Sequence, residues 1–222
     1  MRFRSSILTG AIALAAGAVA LSGPAQATIQ YDANVSNGVF FGTGNPNGGW
    51  TVSTDNNVEI GLRAKNYGGS LIAPETGTGI YDTTTGISPS KASRAFWSWE
   101  FSIENLAPGG SLAGDKGLLT ITNAAAGTTI TFDVLSVLPD NAPVNSTTVQ
   151  QNSENMMFAG ISPPGYNPWY GSSYTFSLVV EDANGSVLGT DAITVNAVPE
   201  PVSLALFGIG LVGLGMARSR RR

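Results

Sequence analysis

The chain has 222 residues, 28 of them Gly and 12 Pro, with only 12% charged residues and neither Cys nor His. That composition suits an all-β protein with turn-rich connections. It excludes disulfides, Cys or His nucleophiles, imidazole acid–base chemistry and His-ligated zinc or haem. The formal net charge of −4 hides an asymmetry, because six of the eleven basic residues sit at the two ends and five bases face fourteen acids between Thr28 and Ala197, a net charge of −9. An acidic body disfavours a nucleic-acid partner, whose phosphates demand positive charge.

In chain order, Arg2 and Arg4, the apolar residues 7–21 and Ala25-Gln26-Ala27 read as a secretory signal peptide over residues 1–27. Ala25 and Ala27 supply the small side chains a signal peptidase needs, so the mature chain is expected to start at Thr28. The body, residues 28–197, is long enough for one core.

Alternation of apolar and polar residues predicts strands over 28–35, 50–53, 58–65, 94–105, 117–122 and 128–138, and a short one over 39–41. In 58–65, Val58, Ile60, Leu62 and Ala64 share one face, and Glu59, Arg63 and Lys65 the other, which is expected to meet water. The segment around Trp97, Trp99, Phe101 and Ile103 is the strongest strand and the expected centre of a sheet. Burying those four side chains is worth about 6–12 kcal/mol. Its other face, with Ser98, Glu100, Ser102 and Glu104, is expected to be solvated. Residues 66–93 read as a long loop with room for one edge strand. Residues 150–159 fit a strand end or a helical turn. Residues 173–181 and 186–196 form a hairpin around Ala183-Asn184-Gly185.

Few segments carry candidate chemistry. Gly42 to Gly49 (GTGNPNGG) lacks the Lys-Ser/Thr of a P-loop and reads as a surface turn. Glu100 and Glu104, four apart on a strand, stand about 13 Å apart at Cα, wider than the roughly 5–9.5 Å between glycosidase carboxyls. Asp140-Asn141, Glu181-Asp182 and Asp191 carry oxygen ligands without calcium-loop spacing, so no metal and no cofactor is expected. Tyr166, Trp169 and Tyr170 lie in the proline-rich loop ISPPGYNPWYG. They are candidate glycan contacts or, alternatively, a plug closing one end of the fold.

The chain ends in Val198-Pro199-Glu200-Pro201, the apolar residues 202–217 and a cluster of Arg218, Arg220, Arg221 and Arg222. The prolines hold the motif extended. Residues 202–217 read as a single transmembrane helix rising about 24 Å, slightly short of about 30 Å of hydrocarbon. The arginines would act as its stop-transfer signal on the cytoplasmic side.

These three parts in fixed order resemble the PEP-CTERM sorting signal of Gram-negative bacteria. The resemblance implies that an exosortase recognises Pro199, Glu200 and Pro201 and removes the C-terminal tail. It implies a chain anchored transiently in the inner membrane, then released to the cell surface or exterior in association with exopolysaccharide or biofilm. GGWTVSTDNNVEIGLRAK, GIYDTTTG, RAFWSWEFSIEN and VQQNSENMMF are similar to a recurring PEP-CTERM body type that brings no catalytic residues. The expected fold is all-β, an antiparallel β-sandwich of jelly-roll or Greek-key type with eight to eleven strands. The expected function is that of an exported, non-enzymatic surface or matrix protein. The alternatives are a carbohydrate-binding module using the aromatic loop and a carboxylate-based glycan hydrolase or lyase.

Overall fold

The computed structural model describes residues 27–41, 45–68, 70–138 and 146–200. Ten strands are present among them: β1 (Thr28–Ala33), β2 (Trp50–Asp55), β3 (Val58–Asn66), β4 (Ile80–Thr84), β5 (Trp97–Asn105), β6 (Lys116–Asn123), β7 (Thr128–Asp133), β8 (Val149–Asn155), β9 (Ser172–Glu181) and β10 (Val187–Val198). One helical turn, α1 (Val134–Val137), follows β7. The strands form two five-stranded sheets, ordered β1-β2-β3-β5-β8 (sheet A) and β4-β10-β9-β6-β7 (sheet B).

The sheets face each other across one apolar core. Trp97 and Trp99 of β5 meet sheet B directly. Trp97 lies 5.4 Å from Tyr174 and 6.3 Å from Phe176, and Trp99 lies 5.7 Å from Phe176 and 6.4 Å from Phe132, centroid to centroid. Val58, Ile60, Leu62 and Ala64 of β3 and Leu178, Val180, Ile193 and Val195 of β9 and β10 complete it. The period-2 pattern therefore builds this core as read from the sequence.

Several expectations are corrected. The sheets are not purely antiparallel, since β4 runs parallel to β10, with Ile80 opposite Thr194 and Thr84 opposite Val198. Both sheets are open, with many sequential neighbours side by side, unlike a jelly roll. β5 is next to the edge strand β8, and β3 holds the centre of sheet A. Residues 39–41 form no strand. The strand expected over 128–138 stops at Asp133, whose carboxylate accepts from Leu135 N at 3.1 Å and Gly117 N at 2.9 Å, so the side chain caps a helical turn instead of extending the ladder.

The expected transmembrane helix is also corrected. Among the described residues no helix is long and apolar enough to cross a membrane. The residues assigned to it, 202–217, lie outside the described ones. The transient inner-membrane partner and the inner-membrane anchoring before processing rested on that helix and are withdrawn with it. Arg218, Arg220, Arg221 and Arg222, Pro201 and Ala25 also lie outside the described residues, while Ala27 is exposed at the start of them.

Candidate functional site

Two regions gather polar chemistry. The first is the end of the molecule where the tail departs. β10 runs to Val198, whose carbonyl accepts from Thr85 N at 3.0 Å. Pro199 then lies against Gly171, where a Cβ would come within 2.8 Å of the proline ring. The sorting motif thus begins on the last residue of the fold, with no linker.

The aromatic loop occupies the same end. Its backbone is fixed by Gly86 N to Pro168 O at 2.5 Å, by Trp169 N to Asn167 Oδ1 at 2.9 Å and by Thr128 Oγ1 to Pro164 O at 2.6 Å. Tyr166 turns inward onto Tyr174, 5.8 Å between rings, and packs against the core. Burial pushes both phenols up, Tyr174 to about 12. Trp169 and Tyr170 turn outward and are 63% and 71% exposed. The three aromatics are thus divided, with Tyr166 acting as the plug and Trp169 and Tyr170 left open to solvent.

The second region is the outer face of sheet A, expected to be wet and instead buried. The chain between β1 and β2 folds back over it, and Val35 and Phe41 pack with Trp50 and Val52 into a second apolar cluster. Beneath lies an ionic group. Arg63 Nε meets Glu100 Oε2 at 2.5 Å, and Lys65 Nζ meets Glu100 Oε1 at 2.9 Å, with the Arg63 and Glu100 side chains fully buried. Arg63 also donates to the carbonyls of Pro46 (3.0 Å) and Gly48 (2.6 Å) and lies 4.1 Å over the Trp50 ring. Desolvation lowers its pKa, and Glu100 opposes that shift. The Gly-rich turn is therefore tied to the fold by an arginine beneath it.

Glu104 sits opposite Glu59 in the ladder. Burial, and then the Glu59 charge, push Glu104 upward. Sequence reasoning missed this pair because residues 67–96 separate β3 from β5, and no short turn sets their register. Its chemistry is restricted by its cover. Ser36 N and Oγ take the two Glu59 oxygens at 2.8 and 2.6 Å, and Asn37 Nδ2 donates to Glu104 Oε1. A glycosidase needs its two acids on either side of an open sugar site, whereas this pair is enclosed. Glu100, four residues away, is neutralised by two cations.

Of the candidate calcium ligands, Asp140 and Asn141 lie outside the described residues. Asp182 accepts backbone bonds from Asn184 and Ser186 in its turn, which hold its carboxyl low. Asp191 points into the interior, 4% exposed, with Oδ2 unpartnered, and burial pushes it up to about 8. Among the described residues no group of three or more acidic side chains is placed to hold a metal.

Residues 197–222 match the family model of the PEP-CTERM protein-sorting motif. A comparison with curated proteins finds no match. The chain thus carries a PEP-CTERM sorting motif behind an all-β body, as an exosortase substrate does. Together the motif and the fold support an exported surface protein.

Proposed function

We propose that the protein is an exported, non-enzymatic component of the cell surface or extracellular matrix. A signal peptidase trims it after Ala27, an exosortase processes it at Pro199, Glu200 and Pro201, and it associates with exopolysaccharide. One observation carries this reading: the fold closes at Val198, the residue on which the sorting motif begins. Loss of everything beyond the motif therefore leaves all ten described strands paired, as a substrate that must survive the cut requires. The absence of Cys and His and the enclosure of the Glu59–Glu104 pair support a structural or binding role over catalysis. The outward Trp169 and Tyr170 favour a sugar-contacting role within that reading.

Replacement of Pro199, Glu200 and Pro201 by Ala in the native host tests it. The triple variant is expected to accumulate as precursor, with intact-mass analysis finding the C-terminal residues retained and little protein released. Wild-type-like processing and release of the variant would refute the proposal.

A further inference from the structure

Two cavities adjoin at the tail-exit end and share Gly171 and Ser172. One, of about 460 Å³, is lined by Asp82, Ser173, Asn196 and Val198. The other, of about 250 Å³, is lined by Asn123, Asn167 and Tyr170. The larger lies within the roughly 300–1,000 Å³ of small-molecule sites. We infer that this double cavity is a binding site for a neutral polysaccharide chain, which lies across Gly171 with a sugar ring on Tyr170 and its hydroxyls on the Asp82–Asn196 pair. The inference rests on the matrix association proposed above and gives it a location and a ligand class.

The chemistry of the lining selects that ligand. Asn196 Nδ2 donates to Asp82 Oδ1 at 3.0 Å, which sets a carboxylate and an amide side by side. Such planar groups retain further acceptors and a donor for adjacent hydroxyls. Neither cavity is lined by Lys or Arg. A phosphate, sulfate or uronate would therefore meet a carboxylate without a counter-charge, whereas an uncharged sugar meets hydrogen-bonding groups beside the apolar Ala197 and Val198, which suit its C–H face. Tyr170 adds an exposed aromatic face for the apolar C–H side of a pyranose. The loop that carries it is tied down at Pro164, Asn167 and Pro168, so little ordering is left to be done on binding. Gly171 keeps the saddle between the cavities low, since a side chain there would collide with Pro199.

The test uses the processed protein purified from the culture medium, run in native gels cast with dextran, laminarin or galactomannan, and with alginate as an acidic probe. The expected result is retardation in at least one neutral gel and none in alginate. Tyr170→Ala and Asn196→Ala are each expected to raise the apparent Kd about tenfold, and Thr190→Ala, exposed on β10 outside both cavities, to leave it unchanged. Both positions are at the surface, and near-UV circular dichroism confirms that the variants are folded. No retardation in any neutral gel, retardation in alginate alone, or identical retardation of both variants and wild type would overturn the site. Co-sedimentation with matrix from the native host separates this failure from that of the broader reading. If wild type and both variants co-sediment equally, matrix association stands and the site falls, and if wild type does not co-sediment, both fall.

Discussion

The outer faces of the two sheets look alike in sequence and differ in the molecule. On sheet A, Glu59, Arg63, Glu100, Ser102 and Glu104 alternate with apolar residues and are buried. On sheet B, Thr120, Thr122, Thr129, Thr131 and Thr175 alternate in the same way, the first two half-buried and the other three exposed. There Thr120 pairs with Thr131 at 2.9 Å and Thr122 with Thr129 at 3.1 Å across the β6–β7 ladder. The difference is a cover. The chain between β1 and β2 returns over sheet A and brings Val35, Phe41 and the carbonyls of Pro46 and Gly48 with it. Alternation states that a strand has two unlike faces. It does not state which of them meets water.

Removal of a charge beneath the cover gives the sharpest contrast. Glu100→Ala leaves Arg63 and Lys65 facing a buried void, and is expected to cost about 3–5 kcal/mol, read as a fall in the urea midpoint. A cost no greater than that of a sheet B threonine would mean that the cover does not exclude water.

A second comparison is between buried acids with and without cations. Glu100 has Arg63 and Lys65, while Asp191 accepts from its neighbour Ala192 N at 2.9 Å and has no cation partner among the described residues. The carboxyls of Asp191 and Glu154 are pushed up by burial, to about 8 and about 7. A raised acid binds its proton more tightly when folded. Its contribution is thus complete below the ordinary carboxylate range and is lost as pH rises through 7 and 8. Stability is expected to decline between about pH 5 and 8, by up to about 1.4 kcal/mol per pH unit for each such group. Asp191→Asn should flatten this decline. Parallel urea midpoints for variant and wild type at pH 5, 7 and 9 would exclude Asp191 as its source.

A smaller effect probes the fit of the cover. At Gly61 a Cβ would stand 2.7 Å from Val35 Cγ1 and 3.1 Å from the Trp50 ring. Gly61→Ala is expected to cost about 1–3 kcal/mol through overpacking, and to raise hydrogen exchange around Val35 before that of β9. Unchanged exchange there would show a cover loose enough to yield. The smallest effect belongs to the open face, where Thr122→Ala should stay within about 0.5 kcal/mol by thermal melting.

Much of the architecture was legible in the chain. Local alternation located most strands, the hairpin of β9 and β10 followed from Ala183-Asn184-Gly185, and the sorting motif was readable because its parts are contiguous. What escaped was non-local. The Glu59–Glu104 opposition depends on a register set across residues 67–96, and the parallel β4–β10 pair joins segments more than a hundred residues apart. The division of the aromatic loop was equally hidden, because Tyr166 and Tyr170 carry the same side chain, and the packing of the Tyr166 ring on Tyr174 is a tertiary contact.

The sequence by itself determined the all-β class, the acidic body without Cys or His, and the sorting motif, since each depends on composition or on neighbours a few residues apart. Only the tertiary structure decided that the charged face of sheet A is interior and that the motif starts where the fold ends beside two cavities. Such facts depend on which distant segments share a surface, and the free energy of covering a face resides in the covering segment as much as in the face it covers.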